Sequence, residues 1–470
     1  MNHTLWATKE PADWDREYKL GLQLYGTGDY PGALARFNAC NQLRPNDAQT
    51  LHLRAATYRK LQKFEECLAD NLTAHRIDSR HPIHCSNVAD ALLCMGRRAE
   101  AAKWLDKALK RDPKNVEALR NKATWFRQHH RFDEAIAIYR KLRSLEPANA
   151  KHERDLGYIE LLSGQFEQGW QHREARFKVP GLPIRYPRFP RPIWNGNDSI
   201  SNKTVLIYAD EGLGDTMQFA RYVPMVAAQG ARVLFAVDDA LYPILAQTPG
   251  VDQCTRISAG GSFAFDLYSP IGSLPLAFKT TLDTIPAPAP LAPTPPERRE
   301  KWEKRLGTHD RVRVGLVWSG NPNHVDDQNR SVSTDALSPL FELDATFVSL
   351  QKDPRPADRT FLAGRPDILD FTADFADFSD TAALIECLDL VITVDTSVAH
   401  LSATLGRPTW ILLPYLCDWR WLTDRSDSPW YPAARLFRQD ESRNYGEVVG
   451  RVVSELGSLI PAHATAAVPA

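Results

Sequence analysis

Two stretches of the chain hold side chains able to take a proton or grip an anion. The first, Asp210-Glu211-Gly212-Leu213-Gly214-Asp215, falls where an apolar run ends and a helix-period segment begins. Gly212 and Gly214 permit positive φ and close backbone approach, and a helix start offers free N–H groups to an anion. Asp215 adds a carboxylate, either as a working group or as a cap on that helix. The second stretch, Val394-Asp395-Thr396-Ser397-Val398-Ala399-His400, has the same setting, with an apolar strand before it and a small-residue helix after it. Thr396 and Ser397 can donate hydroxyl and amide hydrogens to a phosphate. Asp395 beside that phosphate is costly unless it engages hydroxyls, as on a sugar or ribose. The bare alternative is a capping box without a ligand. His400, one turn into the helix, faces either cleft or core. Neither stretch fits a dinucleotide or P-loop fingerprint, since Met217 stands where Gly or Ala is wanted and no P-loop pattern occurs.

Such turns need strands to hold them. TVLIYADEGLGDTMQFARYVPMVAAQG followed by ARVLFAV reads as strand, Gly-rich turn, helix and strand, a βαβ unit. Further on, RVRVGLVWSG, ATFVSLQKD, a helix near 378–388, LDLVITVDTSVAHLSATLG and RPTWILLP repeat the alternation. Buried parallel strands followed by helices predict two Rossmann-like lobes, 203–284 and 301–460, with ligands bound outside the carboxyl ends of their strands. Two Pro-rich stretches bound the lobes. Residues 178–202 read as a semi-rigid connector, and 285–300 as an extended segment without packing of its own. Residues 461–470, small and aperiodic, are expected to be disordered.

The first third repeats itself. Gly21, Ala55, Ala89, Ala123 and Gly157 recur every 34 residues, as do Ala33, Cys67, Ala101, Ala135 and Gly169. Phe37, Leu105 and Tyr139 share a large-residue position that Asn71 breaks, and Pro45, Pro113 and Pro147 end their units, with Ser79 in the missing slot. Small residues let two helices of a hairpin approach, large ones fill the groove between hairpins, and Pro stops the second helix. The pattern resembles the tetratricopeptide repeat over residues 12–177, four full units and a degenerate fifth. Arg173 and Arg176 in that fifth unit suit an outer face meeting solvent or another domain. The expected fold is an α-solenoid followed by two α/β lobes. The resemblance implies a concave face that holds a peptide or protein; a docking or dimerisation element without a ligand is the plainer reading.

Composition narrows the function classes. At 470 residues the chain is about three times a ~150-residue domain, and 43% hydrophobic with 24% charged residues describes globular domains. Lys+Arg number 57 against 58 Asp+Glu, so no basic excess favours nucleic acid or an anionic membrane. Apolar runs are too short to cross a bilayer, and charges near the start interrupt any signal-peptide pattern, so a cytoplasmic protein is expected. Seven cysteines without a CxxC pair read as reduced core residues, neither a disulfide frame nor a zinc site.

Together these features resemble the GT-B glycosyltransferases, specifically the heptosyltransferase-like, family 9-like group. The likeness rests on the Gly-Leu-Gly-Asp turn, on Trp318-Ser319-Gly320 at a strand end, and on the long motif from Val394 to Thr409 before the last core strand. Joined to tetratricopeptide repeats, the chain looks similar to bacterial repeat-containing glycosyltransferases, among them enzymes that glycosylate flagellin and other proteins. The resemblance implies that Asp215 is the general base. It places Asp395, Thr396 and Ser397 on the donor sugar and diphosphate, with Gly212, Gly214 and His400 beside them. Lys352 matches a basic position near the leaving phosphate, and Ser319 and Gly320 line the same edge. Displacing a nucleoside phosphate from an anomeric carbon needs a base for the incoming hydroxyl and positive charge or N–H dipoles for the departing phosphate. With Lys352 or Arg330 to neutralise phosphate, neither metal nor cofactor is expected. The one Asp-x-Asp, Asp13 to Asp15, lies at the edge of the first repeat, far from either lobe.

Departures from the family matter too. The first lobe, about 80 residues, is shorter than usual, so its acceptor elements are missing or replaced by the repeats, and heptose is a doubtful donor. The Trp-, Arg- and Asp-rich segment 418–432 offers aromatic faces for sugars or bases, and Arg420 or Arg425 as a phosphate clamp. Its plainer role is a brace between the C-terminal tail and the lobes. The leading function is sugar transfer from a nucleotide-sugar donor to a protein acceptor recruited by the repeats, and the repeats also offer a route to homo-oligomers. The alternatives are a non-catalytic scaffold with a GT-B remnant, or a transferase acting on lipopolysaccharide or another glycan.

Overall fold

The structure is a computed structural model that describes residues 13–182, 187, 189–260, 264–324 and 326–460, leaving aside the side chain of Pro82. The tail 461–470 therefore lies outside the described residues. The chain forms two compact units, 1–159 and 160–470.

The first unit is built of helix hairpins. Its helices are α1 (Trp14–Thr27), α2 (Tyr30–Leu43), α3 (Ala48–Lys60), α4 (Phe64–Ile77), α5 (Pro82–Cys94), α6 (Arg98–Arg111), α7 (Val116–Gln128), α8 (Phe132–Leu145) and the start of α9 (Ala150–Leu162). The first helices of successive hairpins begin at Trp14, Ala48, Pro82, Val116 and Ala150, the 34-residue step of the sequence. Gly21 is required by closeness: a Cβ there would lie 2.7 Å from the Phe37 ring. Ala55, Ala89, Ala101, Ala123 and Ala135 are likewise buried where helices meet. Asn71 is buried in the large-residue slot, and its amide reaches Cys67 Sγ and the Asn87 carbonyl, both at 3.5 Å. Asp13 is a helix cap whose carboxylate accepts from the Asp15 N–H at 3.1 Å.

The second unit opens with α10 (Phe166–Arg173), the second helix of the fifth hairpin, which packs with the lobes. Gly169 admits Leu161 within 2.7 Å of where a Cβ would stand. Trp170 donates its indole N–H to the Thr280 carbonyl at 2.9 Å and meets Trp419 edge-on at 5.1 Å. Arg173 and Arg176 are buried against a loop of the first lobe, with no solvent face.

The first lobe is a four-stranded parallel sheet in the order β3-β2-β1-β4, from β1 (Thr204–Tyr208), β2 (Arg232–Val237), β3 (Gln253–Arg256) and β4 (Leu267–Pro270). The second is a six-stranded parallel sheet, β10-β9-β8-β5-β6-β7. Its strands are β5 (Val312–Val317), β6 (Ala345–Ser349), β7 (Leu369–Asp370), β8 (Leu390–Val394), β9 (Thr409–Leu413) and β10 (Ala434–Arg438). Its apolar core includes Val314, Leu316, Ile392, Trp410 and Leu412, with Val448, Val452 and Leu456 from the C-terminal helix. Read from its own first strand, this order is 3-2-1-4-5-6, the doubly wound Rossmann arrangement, and the first lobe is its 3-2-1-4 portion. The sequence missed β3, β4, β7 and β10, which are short or lack a long apolar run.

Neither Pro-rich stretch is a bare spacer. In 178–202, Trp194 is buried, its backbone N–H donates to the Tyr268 carbonyl at 2.8 Å, and Ile193 bridges to Tyr268 beside β4; residues 183–186 and 188 lie outside the described residues. Residues 285–295 form neither helix nor strand, yet they pack, contrary to expectation. Ala289 is buried, the Ala292 N–H donates to the Ile244 carbonyl at 2.8 Å, and a helix begins at Pro296. Proline removes donors but leaves carbonyls and small apolar faces free to dock.

Candidate functional site

In a doubly wound sheet the strand order reverses at one point, and loops leaving the two strands there in opposite directions open a crevice at their carboxyl ends. In the first lobe that point lies between β1 and β4, in the second between β5 and β8. Asp210–Asp215 follows β1, Ser319 and Gly320 follow β5, and Asp395–Ser397 follows β8. Each motif therefore sits at a switch point.

After β1 the chain turns into α11 (Leu213–Phe219). The acidic half of the turn is clamped. Asp210 accepts the Gly272 N–H at 3.0 Å and pairs with Arg176 at 3.2 Å, Glu211 pairs with Arg173, and Arg173 donates to the Gly272 carbonyl at 2.7 Å. Burial pushes the Asp210 carboxyl up to about 6, against the pull of Arg176. Asp215 closes back on its own helix, its Oδ2 accepting the Gly212 N–H at 3.1 Å, while Oδ1 takes a hydrogen from Arg420. Neither Gly212 nor Gly214 adopts positive φ, so that expectation is corrected. What Gly214 supplies is space, because a Cβ there would lie 2.5 Å from the His400 ring.

His400 is buried in the helix Ser397–Thr404, packed directly on α11, which decides its direction. Its Nε2 faces the Arg420 guanidinium at 3.2 Å and its Nδ1 lies 2.7 Å from the Tyr431 hydroxyl. A guanidinium has only donors, so Nε2 is the acceptor and Nδ1 carries the hydrogen given to Tyr431. Burial, then Arg420 and Arg221, hold this imidazole well below its ordinary value, in the neutral form. Arg221 extends the bracing, donating to the Trp430 carbonyl at 2.9 Å and the Pro286 carbonyl at 2.8 Å.

Arg420 is the centre of the cluster. It joins Asp215 of the first lobe to Asp418, 3.2 Å away, and to His400 of the second. Burial opposes its charge, but Asp418, Asp215 and Asp395 together hold it protonated. Asp395 is half-buried, and burial raises its carboxyl, opposed chiefly by Arg420. Thr396 is the N-cap of the helix, yet its side chain makes no capping bond; its hydroxyl meets Thr393 Oγ1 at 3.2 Å instead. The amides of the first turn are thus not taken by a capping box.

Beside them, the Trp318 and Ser319 N–H groups both donate to Gln351 Oε1, at 3.2 and 3.0 Å, which fixes the end of β5. Ser319 Oγ is buried and finds no partner in the described protein. Arg330 lies against Gly320, where a Cβ would come within 2.5 Å of the guanidinium, and donates to the Asp395 carbonyl at 3.1 Å. Lys352 is placed elsewhere: it follows β6, one strand beyond β5, and its ammonium donates to the Phe375 carbonyl at 2.9 Å. From the same loop Arg355 reaches Ser331 at 3.2 Å and Asp327 under the β5 edge.

The aromatic segment 418–432 behaves as a brace. Trp419 and Trp430 pack with Phe166 and Trp170 of α10 and with Phe219 of α11, while Arg425 pairs with exposed Asp427 at 2.6 Å. The sequence offered Arg420 as a clamp or as part of a brace, and missed Arg355 and the Arg173–Arg176 pair as parts of the site. Arginines close to carboxylates in a motif-bearing loop were the available signal. Among the described residues no group of three or more His, Cys, Asp or Glu side chains is arranged to hold a metal ion.

The model of glycosyltransferase family 9 (heptosyltransferase) matches residues 376–412, the span that holds β8, Asp395–Ser397 and His400. Protein FlbA of Caulobacter vibrioides is 24% identical over 465 residues, covering 91% of this chain and 76% of that protein. Among solved structures, a thermophilic TPR protein of Thermus thermophilus is 20% identical, with a TM-score of 0.34, over 36% of this chain and 93% of that one. A tetratricopeptide repeat protein from Parabacteroides merdae is 19% identical, with a TM-score of 0.33, over 36% and 66% of the two chains. The family match supports a glycosyltransferase, and the chain joins a stretch similar to family 9, over residues 376–412, to helix hairpins of 34-residue period.

Proposed function

We propose that the protein transfers a sugar from a nucleotide-sugar donor to a hydroxyl of a protein acceptor held by the repeats. One observation carries the reading. Asp215, from the motif after β1, and His400, from the motif after β8 that also holds Asp395, both meet the single guanidinium of Arg420. A proton acceptor and an anion-binding edge thereby meet at one place.

The step balances with these residues. The acceptor oxygen attacks the anomeric carbon and its proton passes to the Asp215 carboxylate. The bond from that carbon to the phosphate oxygen breaks, and its electron pair leaves with the nucleotide. Ser319, Arg330 and the Ser397 and Val398 amides receive the developing negative charge, while Asp395 binds sugar or ribose hydroxyls. Lys352, held at Phe375, has no part in this assignment. The cations at hand let transfer proceed without a metal, so activity should survive EDTA. On the acceptor side, a cavity of about 150 Å3 lined by His52, Arg59, Asn87, Asp90 and Asn121 in the first unit offers donors and acceptors to a polypeptide. A cytoplasmic setting for that acceptor belongs to the same reading. Among the described residues no helix is long and apolar enough to cross a membrane.

The test is sugar release and transfer from a panel of UDP-, GDP-, ADP-, CMP- and TDP-sugars. Asp215→Asn should lose transfer by about 100-fold or more while still binding nucleotide. No turnover by wild type with any donor, or full turnover by Asp215→Asn, would reject the reading and favour a scaffold.

A further inference from the structure

The Asp215–Arg420 contact raises a difficulty for the chemistry just described, and resolving it assigns Arg420 a role. Asp215 is proposed to take a proton, yet one oxygen is occupied by the Gly212 N–H and the other by a guanidinium. A carboxylate so covered leaves a hydroxyl little room to approach. Arg420 in turn has more carboxylate than one positive charge needs, with Asp215 and, at 3.2 Å, Asp418 both paired to it. Its five N–H donors form the planar fork that matches two phosphate oxygens better than an isolated carboxylate oxygen does.

Position and backbone point the same way. Arg420 lies in the turn Trp419–Trp421 after β9, on the same edge as the start of the Ser397–Thr404 helix. Directly after it, Leu422 (φ 55°) and Asp424 (φ 57°) sit in the left-handed region without being glycine. Such strain persists where surrounding contacts over-determine a segment, and it gathers at sites that switch arrangement. The guanidinium is thus held among Asp215, Asp418 and His400 by a loop under strain.

We propose that Arg420 exchanges partners: without donor it covers Asp215, and with donor bound it turns to the diphosphate and leaves Asp215 free to take the acceptor proton. The proposal rests on the reading of the cleft as a donor site. It makes donor binding itself uncover the base, so that Asp215 is exposed only when there is a sugar to transfer.

Linkage supplies the test, because whatever competes with the diphosphate for Arg420 must weaken its binding. Calorimetric titration with inorganic pyrophosphate, on the full chain, compares wild type, Asp215→Asn, Arg420→Gln and the double variant. Asp215→Asn should bind pyrophosphate about tenfold more tightly than wild type, since its guanidinium is no longer engaged. Arg420→Gln should bind more weakly, and adding Asp215→Asn to it should change little. Removing a negative charge would by itself favour an anion. A tenfold gain that persists in the Arg420→Gln background therefore refutes the exchange, as does no gain, or pyrophosphate binding to none of the four. If Arg420→Gln does not fold, Arg420→Lys with and without Asp215→Asn gives the same comparison: a single ammonium should recover part of the affinity and retain a smaller gain. Sugar release by wild type is measured separately. A normal cycle without turnover would reject the proposed function, and turnover with a flat cycle would reject only the exchange.

Discussion

At the crevice between β1 and β4, Asp210 and Glu211 are met by Arg176 and Arg173, buried on both sides and supported by Gly272 and Ser273. At the crevice between β5 and β8, in the same kind of sheet, Ser319 Oγ finds no partner in the described protein and the Thr396 side chain does not cap its helix. There Arg330 meets the Asp395 carbonyl, with the nearest carboxylate, Asp327, 3.8 Å away. One switch point spends its charges on itself, so its geometry is locked. The other leaves the Ser319 hydroxyl uncommitted among the described residues, which the proposed function uses for an anion. Arg420 stands between them and belongs to both.

The largest effect should come from breaking the locked side. Arg176→Ala strands Asp210, Glu174 and Glu211 without one of their cations, two of these carboxyls being almost fully buried. The loss should be about 3–5 kcal/mol in denaturant unfolding of the lobes. A loss under about 1 kcal/mol would mean the loop is not held this way.

A middle-sized effect concerns the shared residue network and pH. His400 is depressed in the fold, so its contribution is present above the unfolded value of about 6.5 and is lost as pH falls below it. Wild type should therefore lose up to about 1.4 kcal/mol per pH unit from this group between about pH 6.5 and pH 5. His400→Gln should show a shallower decline in Tm over that window. Equal slopes would show that the imidazole is not buried neutral.

The smallest stability effect belongs to the open side. Ser319→Ala removes a hydroxyl that has no partner among the described residues and should change stability by no more than about 0.5 kcal/mol. It should nevertheless weaken nucleotide binding several-fold, read by the thermal shift at a fixed nucleotide concentration. If the change leaves affinity intact, Ser319 is outside the anion site and the contrast between the two crevices weakens.

Much of this organisation was legible along the chain. A 34-residue period needs only local spacing, and each repeat is a hairpin whose partners are neighbours in sequence, so Ala55, Ala89 and Ala123 announce their packing. Long apolar strands such as β5, β8 and β9 are equally plain, and so are the turns they must feed. The four-residue β3 and β4 were not, since their pairing is decided by β2 and β1 elsewhere in the chain.

What sequence by itself determined, then, is which residues could form a base and an anion cradle, and which strand ends present them. Tertiary structure alone decided their partners. Lys352 and Arg355 lie three positions apart, but strand order sends one toward Phe375 and the other under Gly320. Arg173 and Arg176 belong by spacing to the repeats, yet they complete the turn after β1. Arg420 meets Asp215 across 205 positions of sequence. Charge pairing acts through space over a few ångströms, and no local pattern encodes which distant carboxylate a guanidinium will find.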